Sequence, residues 1–242
     1  MRIEGSVALV TGANRGIGKA IAEELLARGA AKVYAGVRDP TTVTDPRLVP
    51  VELDITDVAQ VTAAAKQLSD VEIVVNNAGI GSSATSLAAT LENARAELEV
   101  NYLGLLSTTQ AFAPVLASNG GGAFVNVLSV VSWIAMPNLA TYSASKSAAW
   151  GYTNAARVEL SRQGTQVVAV HVGFVDTDLT AGLDVDKISP HTVAASALDA
   201  LGHGDSEAIV DDFSRHIKTG LHDDLNLIYP SIEEQFNATV VS

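Results

Sequence analysis

Six short, continuously apolar runs, each followed by a stretch of helical period, constrain this chain more than any other feature. The runs cover residues 6–10, 32–37, 48–53, 71–75, 123–128 and 166–172. None alternates apolar with polar residues, so each reads as a strand buried on both faces. The first intervening segment, 16–28, puts Ile17, Ile21 and Leu25 on one face, leaves Glu23 and Glu24 outside, and stops at Gly29. Later helices are predicted from Asp54-Ile-Thr-Asp57 through Leu68, over 93–116, over 141–162 and over 190–201, with a seventh short strand at 208–211. Strand and helix in strict alternation give an α/β architecture. The expected fold is a doubly wound, mainly parallel seven-stranded sheet with helices on both faces, in one domain spanning 1–242.

Composition agrees with a large core and excludes several function classes. Of 242 residues, 48% are hydrophobic and 17% charged, and no internal repeat or low-complexity segment interrupts them. A net charge of −12 argues against nucleic acid or an anionic membrane surface as partner. The chain has no cysteine, which removes disulfides, thiolate metal sites and cysteine nucleophiles together. No run is long enough to span a bilayer, and MRIEGSVALV lacks a secretory layout, so a cytoplasmic location is expected. His171, His191, His203, His216 and His222 show no metal-ligand spacing, and no G-x-S-x-G elbow is present. His171, inside a predicted strand, reads as a core residue. Asp176, Asp178, Asp184 and Asp186 read as loop solvation and helix entry, so no metal site is expected.

The loop VTGANRGIG joins the first strand to the first helix and carries Gly12, Gly16 and Gly18. Glycine there permits a tight turn and lets a pyrophosphate approach the N–H groups at the positive end of a helix. The spacing is G-x-x-x-G-x-G rather than G-x-G-x-x-G, so its place after the first buried strand carries the dinucleotide reading of a Rossmann fold. Arg15 within the loop and Arg38 after the second strand favour NADP(H) over NAD(H), because guanidinium groups bond a 2′-phosphate and Val37 fills the position where an acidic residue would grip a ribose hydroxyl. In the alternative, Arg38 is solvated and Asp39 accepts that hydroxyl.

These features resemble the short-chain dehydrogenase/reductase family in its compact form. TGANRGIG at 11–18, Asp54, NNAG at 76–79, Asn101, Ser129, YSASK at 142–146 and the stretch from Gly173 to Thr177 stand in family order and spacing, with Ser129 thirteen residues before Tyr142 and Lys146 four after it. The resemblance implies cofactor contacts from Gly12, Asn14, Arg15, Gly16, Ile17, Gly18, Arg38, Asp54, Ile55, Asn77, Ala78, Gly79, Gly173, Val175 and Thr177, and from Tyr142 and Lys146. It implies that Asp54 meets the adenine amine and Thr177 the nicotinamide carboxamide. It makes Asn101, Ser129, Tyr142 and Lys146 the catalytic set. Tyr142 is then an acid/base, Ser129 bonds the substrate oxygen, Lys146 holds the nicotinamide ribose, and Asn101 holds a water that links Lys146 to solvent. The family's usual Pro-Gly after the sixth strand is here Val172-Gly173, which leaves that backbone less constrained.

The chemistry of the Tyr–Lys spacing can be stated independently. A free phenol titrates near pH 10 and is a poor base at neutrality. Residues four apart share a helix face. A lysine charge about 4 to 5 Å from the phenol, at an effective dielectric near 20, is worth roughly 3 to 4 kcal/mol, or about two to three pKa units downward before desolvation opposes it.

Ile134, Met136 and Leu139, with Ile80 and the lid residues Leu179 and Leu183 of 178–190, are expected to form apolar walls around a medium-sized ketone or aldehyde, with Trp133 nearby. The tail 212–242 departs from the family's glycine-rich ending and is expected to begin with a helix that covers part of the pocket or a subunit edge. The two long helices imply a homodimer, possibly extending to a tetramer. The reading is therefore an NADPH-dependent reductase. A non-catalytic dinucleotide-binding sensor, or an isomerase or dehydratase using the same tyrosine, stands as the competitor.

Overall fold

Alternate residues of one strand point to opposite faces of a sheet, and here both faces are apolar. The structure, a computed structural model, describes residues 1–221. Its strands are β1 (Val7–Thr11), β2 (Lys32–Val37), β3 (Val49–Glu52), β4 (Ile73–Asn76), β5 (Gly122–Val127), β6 (Thr165–His171) and β7 (Glu207–Ile209). They form one all-parallel sheet in the order β3-β2-β1-β4-β5-β6-β7. The helices are α1 (Gly16–Ala27), α2 (Val58–Gln67), α3 (Leu91–Leu98), α4 (Leu105–Ser118), α5 (Ala140–Leu160), α6 (Pro190–His203) and α7 (Asp212–Gly220). Ala8, Val10, Val33, Val75, Val125 and Val168 pack against Ile21 and Leu25 of α1 and Val193 and Leu198 of α6. Their neighbours Leu9, Val74 and Phe124 face the other way, onto Phe112 and Leu116 of α4 and Leu160 of α5. Each such fully buried side chain contributes about 1.5–3 kcal/mol relative to exposure.

The predicted seven-stranded doubly wound sheet is therefore present. The order reverses between β1 and β4, and a crevice at the carboxyl ends of the strands on either side of such a reversal is where ligands bind. All five predicted helices form. The one expected to run unbroken over 93–116 is instead split: α3 and α4 are joined by a wider π-helical turn, Glu99–Gly104. Gly104 in that turn lies so close to Ile55 that an added Cβ would stand 2.6 Å from Ile55 Cδ1. The predicted tail helix appears as α7. The remaining tail, His222 included, lies outside the described residues. No helix among the described residues is long and apolar enough to cross a membrane.

Candidate active site

The glycine loop is shaped by backbone proximity. Gly12 and Gly16 have φ of +67° and +54°, in the left-handed region that favours glycine. Gly18 is required for a different reason: a Cβ there would lie 2.3 Å from the Gly12 carbonyl oxygen and 2.3 Å from Asn77 Nδ2. Asn77 Nδ2 donates to the carbonyls of Thr11 (2.9 Å) and Gly12 (3.2 Å). The Thr11 hydroxyl accepts from the N–H groups of Asn77 and Ala78, both at 3.0 Å. Asn77 and Ala78 thus brace the turn, and Gly79 continues into the site.

Arg15 is the N-cap of α1, with an extended backbone and no side-chain cap on the first turn. The amides of Gly16, Ile17 and Gly18 are therefore the first of a helix whose positive end faces the crevice. Thr177 lies across from that helix start, 3.3 Å from where a Gly16 Cβ would sit.

The rim charges sort themselves differently from the sequence expectation. Arg15, expected beside Arg38 on a 2′-phosphate, is bonded to Asp178 at 2.8 Å, with both side chains largely exposed. Asp178, read from sequence as loop solvation, is thus a partner of the glycine loop. Arg38 is exposed at the end of β2, and its charge is among the influences that hold the Asp54 carboxyl below its ordinary range, after the hydroxyl and N–H of Thr56. Thr56 occupies Oδ1 of Asp54 at 2.7 and 2.9 Å. Asp39 Oδ1 is taken by the hydroxyl and N–H of Thr41, at 2.7 and 3.0 Å. Asn14 reaches Thr42 at 3.1 Å. Ile55 is buried beside Asp54, and Val175 is buried where its strand-like bridge to Ile188 begins. Gly173, expected to be loosely held without a preceding proline, donates its N–H to Asp211 at 2.7 Å. The same Asp211 carboxylate caps α7 through Ser214. A side chain from the far end of the chain thereby supplies the restraint that proline would have given.

At the ends of β4 and β5 the polar groups are buried. Ser129 follows β5, accepts from Val131 N at 3.3 Å and donates to the Val172 carbonyl at 3.3 Å, and its hydroxyl is among the influences on Tyr142. Tyr142 and Lys146 share one face of α5, with Nζ 5.8 Å from the ring centroid. Lys146 is buried and donates to the Val127 carbonyl at 3.0 Å. Asn101, in the π turn, donates from Nδ2 to the Ile80 carbonyl at 2.8 Å and to Ser145 Oγ at 2.9 Å, and accepts the Ile80 N–H at 2.9 Å. Gly79 lies between: a Cβ there would be 3.1 Å from Asn101 Oδ1 and 3.6 Å from Lys146 Nζ. All four residues expected to act together therefore lie near one another, around Gly79 and the start of α5.

The electrostatics correct one expectation. Tyr142 is half-buried, and desolvation of its hydroxyl pushes the pKa up to about 12. The Ser129 hydroxyl opposes that rise and the charge of Glu97 adds to it. Burial brings Lys146 down to about 8. The downward shift expected for Tyr142 from Lys146 is thus outweighed: desolvation penalises both charged forms, and the phenol is a neutral donor at pH 7.

Apolar side chains pack beside Tyr142. Val130, Val131, Ile134 and Ile217 form a buried cluster onto which Trp133, Met136, Tyr142 and Leu221 pack. Ile80, Leu179 and Leu183 remain substantially exposed. Trp133 stacks on His171 with centroids 3.9 Å apart, and Lys218 of α7 lies 4.8 Å over the Trp133 ring. Sequence reasoning missed Ile217 and Leu221 because helical period places them on a buried face of α7 without saying what they face. It also missed a buried relay between elements: Asn76 Nδ2 donates to Asn126 Oδ1 (2.9 Å), and Asn126 Nδ2 to Thr153 Oγ1 (3.0 Å). Among the described residues no cluster of metal-ligating side chains is found.

A glycine-lined helix start at the reversal of a parallel sheet, beside a buried tyrosine backed by lysine, defines an oxidoreductase class, and comparison with known proteins fixes which. The short chain dehydrogenase family pattern matches residues 6–187. The chain belongs to the short-chain dehydrogenase/reductase family. It is 32% identical over 200 residues to a 3-oxoacyl-[acyl-carrier-protein] reductase of Synechocystis, covering 77% of this chain and 81% of that one. It is also 32% identical to a 3alpha-hydroxysteroid dehydrogenase of Mediterraneibacter gnavus, over 78% and 82% of the two chains. A short chain dehydrogenase from Burkholderia cenocepacia, solved in complex with NADP, superposes with a TM-score of 0.92 at 43% identity, covering 96% of this chain and 99% of that one.

Proposed function

We propose that this chain reduces a ketone or aldehyde to the alcohol, reversibly, with NADP(H) as the dinucleotide. The observation that carries the reading is the pairing of Tyr142 with Lys146 on one face of α5, Nζ 5.8 Å from the ring, with the phenol neutral at pH 7. Such a phenol is a proton donor placed where a carbonyl oxygen gathers charge, with the Ser129 hydroxyl beside it to bond the same oxygen. Lys146 keeps a cation behind the ring and, with Tyr142, would hold the nicotinamide ribose. Asn101 would hold a water next to Lys146 for proton exchange. Bound nicotinamide would supply the hydride. Residues 12–18 would hold its pyrophosphate, Asp54 and Ile55 the adenine, and Gly173, Val175 and Thr177 the carboxamide end.

Arg38 favours a 2′-phosphate, since Asp39 is already engaged by Thr41. The NADP-bound relative from Burkholderia supports the same choice. The walls of Ile80, Ile134, Met136, Leu179 and Leu183, joined by Ile217 and Leu221, suit an apolar or aromatic carbonyl. Leu91, Leu98, Leu103 and Val158, exposed on α3, the π turn and α5, support a homodimer through these helices. A cytoplasmic setting fits the absence of cysteine.

The experiment is a spectrophotometric screen of NADPH and NADH against ketones, aldehydes and secondary alcohols. NADPH consumption with at least one apolar carbonyl is the expected result. Silence across the panel despite NADPH binding would overturn the reading in favour of a non-catalytic binder.

A further inference from the structure

The loop leaving β4 presses on Tyr142, and what holds it there lies on α3. Gly81 faces the phenol ring: an added Cβ would stand 3.1 Å from Tyr142 Cδ2 and 3.6 Å from Leu179 Cδ1. The residues on either side of Gly81 are gripped from a single helical run. Ile80 exchanges its N–H and carbonyl with the Asn101 amide at 2.9 and 2.8 Å. Ser82 gives both its N–H (2.6 Å) and its hydroxyl (2.8 Å) to Glu97 Oε1. Glu97 and Asn101 are four residues apart and so share a face.

Glu97 is 1% exposed, and its second oxygen, Oε2, has no hydrogen-bond partner among the described residues. A half-satisfied buried carboxylate is costly. A neutral glutamine would accept the same two bonds from Ser82, so a role in structure alone does not account for the charge.

We propose that Glu97 is a positioning residue: with Asn101 it clamps residues 80–82 against the ring of Tyr142. This rests on the reading of Tyr142 as the acid. Glu97 is the acidic group whose charge opposes ionisation of Tyr142, after burial itself. The groups around it leave little else to do this. On its own helix Glu92, Arg95 and Glu99 are exposed. Facing it, α5 brings Tyr142 and Lys146, and residues 79–90 contain no titratable side chain. From α7, Ile217 and Leu221 join the Tyr142 cluster, while Lys218 is bonded to Glu207 at 2.8 Å. From the end of β5 the Ser129 hydroxyl acts on the phenol in the opposite sense.

The test uses the full chain as wild type, E97Q, Ser82→Ala and Tyr142→Phe. For each, the pH profile of NADP-linked alcohol oxidation, the NADPH Kd and the Tm are measured. Oxidation needs the phenolate, so its rate rises with pH. Removing the charge in E97Q moves that rising limb to lower pH, with NADPH Kd unchanged. Ser82→Ala keeps the charge and loosens the clamp, so kcat/KM falls about tenfold while the limb stays in place. A folded E97Q whose limb coincides with wild type overturns the proposal. If E97Q does not fold, Ser82→Ala decides, and wild-type kcat/KM in that variant overturns the clamp. A limb that disappears in Tyr142→Phe but does not move in E97Q fails the Glu97 proposal alone. A limb that survives Tyr142→Phe fails the reading of Tyr142 and the proposal with it.

Discussion

The glycine-loop end of the crevice and the surroundings of Tyr142 sit on the same sheet but are built on opposite principles. Around β1 and β2 the work is done by backbone: glycines that bring chain segments together, with Arg15, Arg38 and Asp178 out in water. Exposed ion pairs such as Arg15–Asp178 are worth about 0–1 kcal/mol and re-partner readily. Around β4, β5 and α5 the work is done by buried side chains. There Ser129, Lys146, Asn101 and Glu97 are all nearly inaccessible, and burial sets the protonation state. In the proposed reading, binding specificity at the first end is therefore a matter of which charges are at hand, and acid–base chemistry at the second a matter of what water is kept from.

Substitutions that cross this division separate the two. Gly18→Ala should do most harm, because its new methyl meets a backbone carbonyl that has nowhere to go. It should lower Tm by about 5 °C and abolish measurable NADPH binding in calorimetry. A fully binding Gly18→Ala protein would mean that the loop shape does not hold the dinucleotide. Arg38→Asp should leave Tm alone and cut the NADPH-over-NADH preference by about 10- to 100-fold in kcat/KM, the worth of a charge-assisted bond. If the preference is untouched, the rim does not select the cofactor.

An effect outside both ends concerns His171, buried at the end of β6 with Nδ1 on the Ser129 carbonyl at 3.3 Å. That carbonyl can only accept, so Nδ1 carries the proton. Burial lowers His171 to about 4 from the ordinary 6.5. Between those values the unfolded chain binds more protons than the folded one. Stability is therefore lost as pH falls from about 6.5 to 4, by up to roughly 3 kcal/mol. His171→Phe should flatten that part of a urea-unfolding series, and an unchanged slope would remove His171 as its cause.

How much of this was legible in the sequence follows the same division. The alternation of strand and helix, the glycine loop and the Ser129–Tyr142–Lys146 spacing were readable because period and spacing are local. The α3 face was not. Its sequence, LENARAEL, offers no apolar stripe, and its one buried residue is Glu97. Only the i,i+4 relation to Asn101 hinted that this carboxylate turned inward. The buried face of α5 is likewise polar, with Ser143, Ser145, Lys146 and Thr153. The π turn and the Asp211–Gly173 bond join residues distant in sequence or depend on backbone detail, and no periodicity reports either. The direction of the Tyr142 shift was misjudged because spacing gives the distance of a charge but not the depth of a hydroxyl.

The most direct measurement is turnover of Tyr142→Phe with NADPH and a carbonyl substrate accepted by the wild type, alongside its NADPH Kd. The account predicts a fall in kcat of about 10³-fold or more with Kd unchanged. A Tyr142→Phe protein that turns over at the wild-type rate would contradict it.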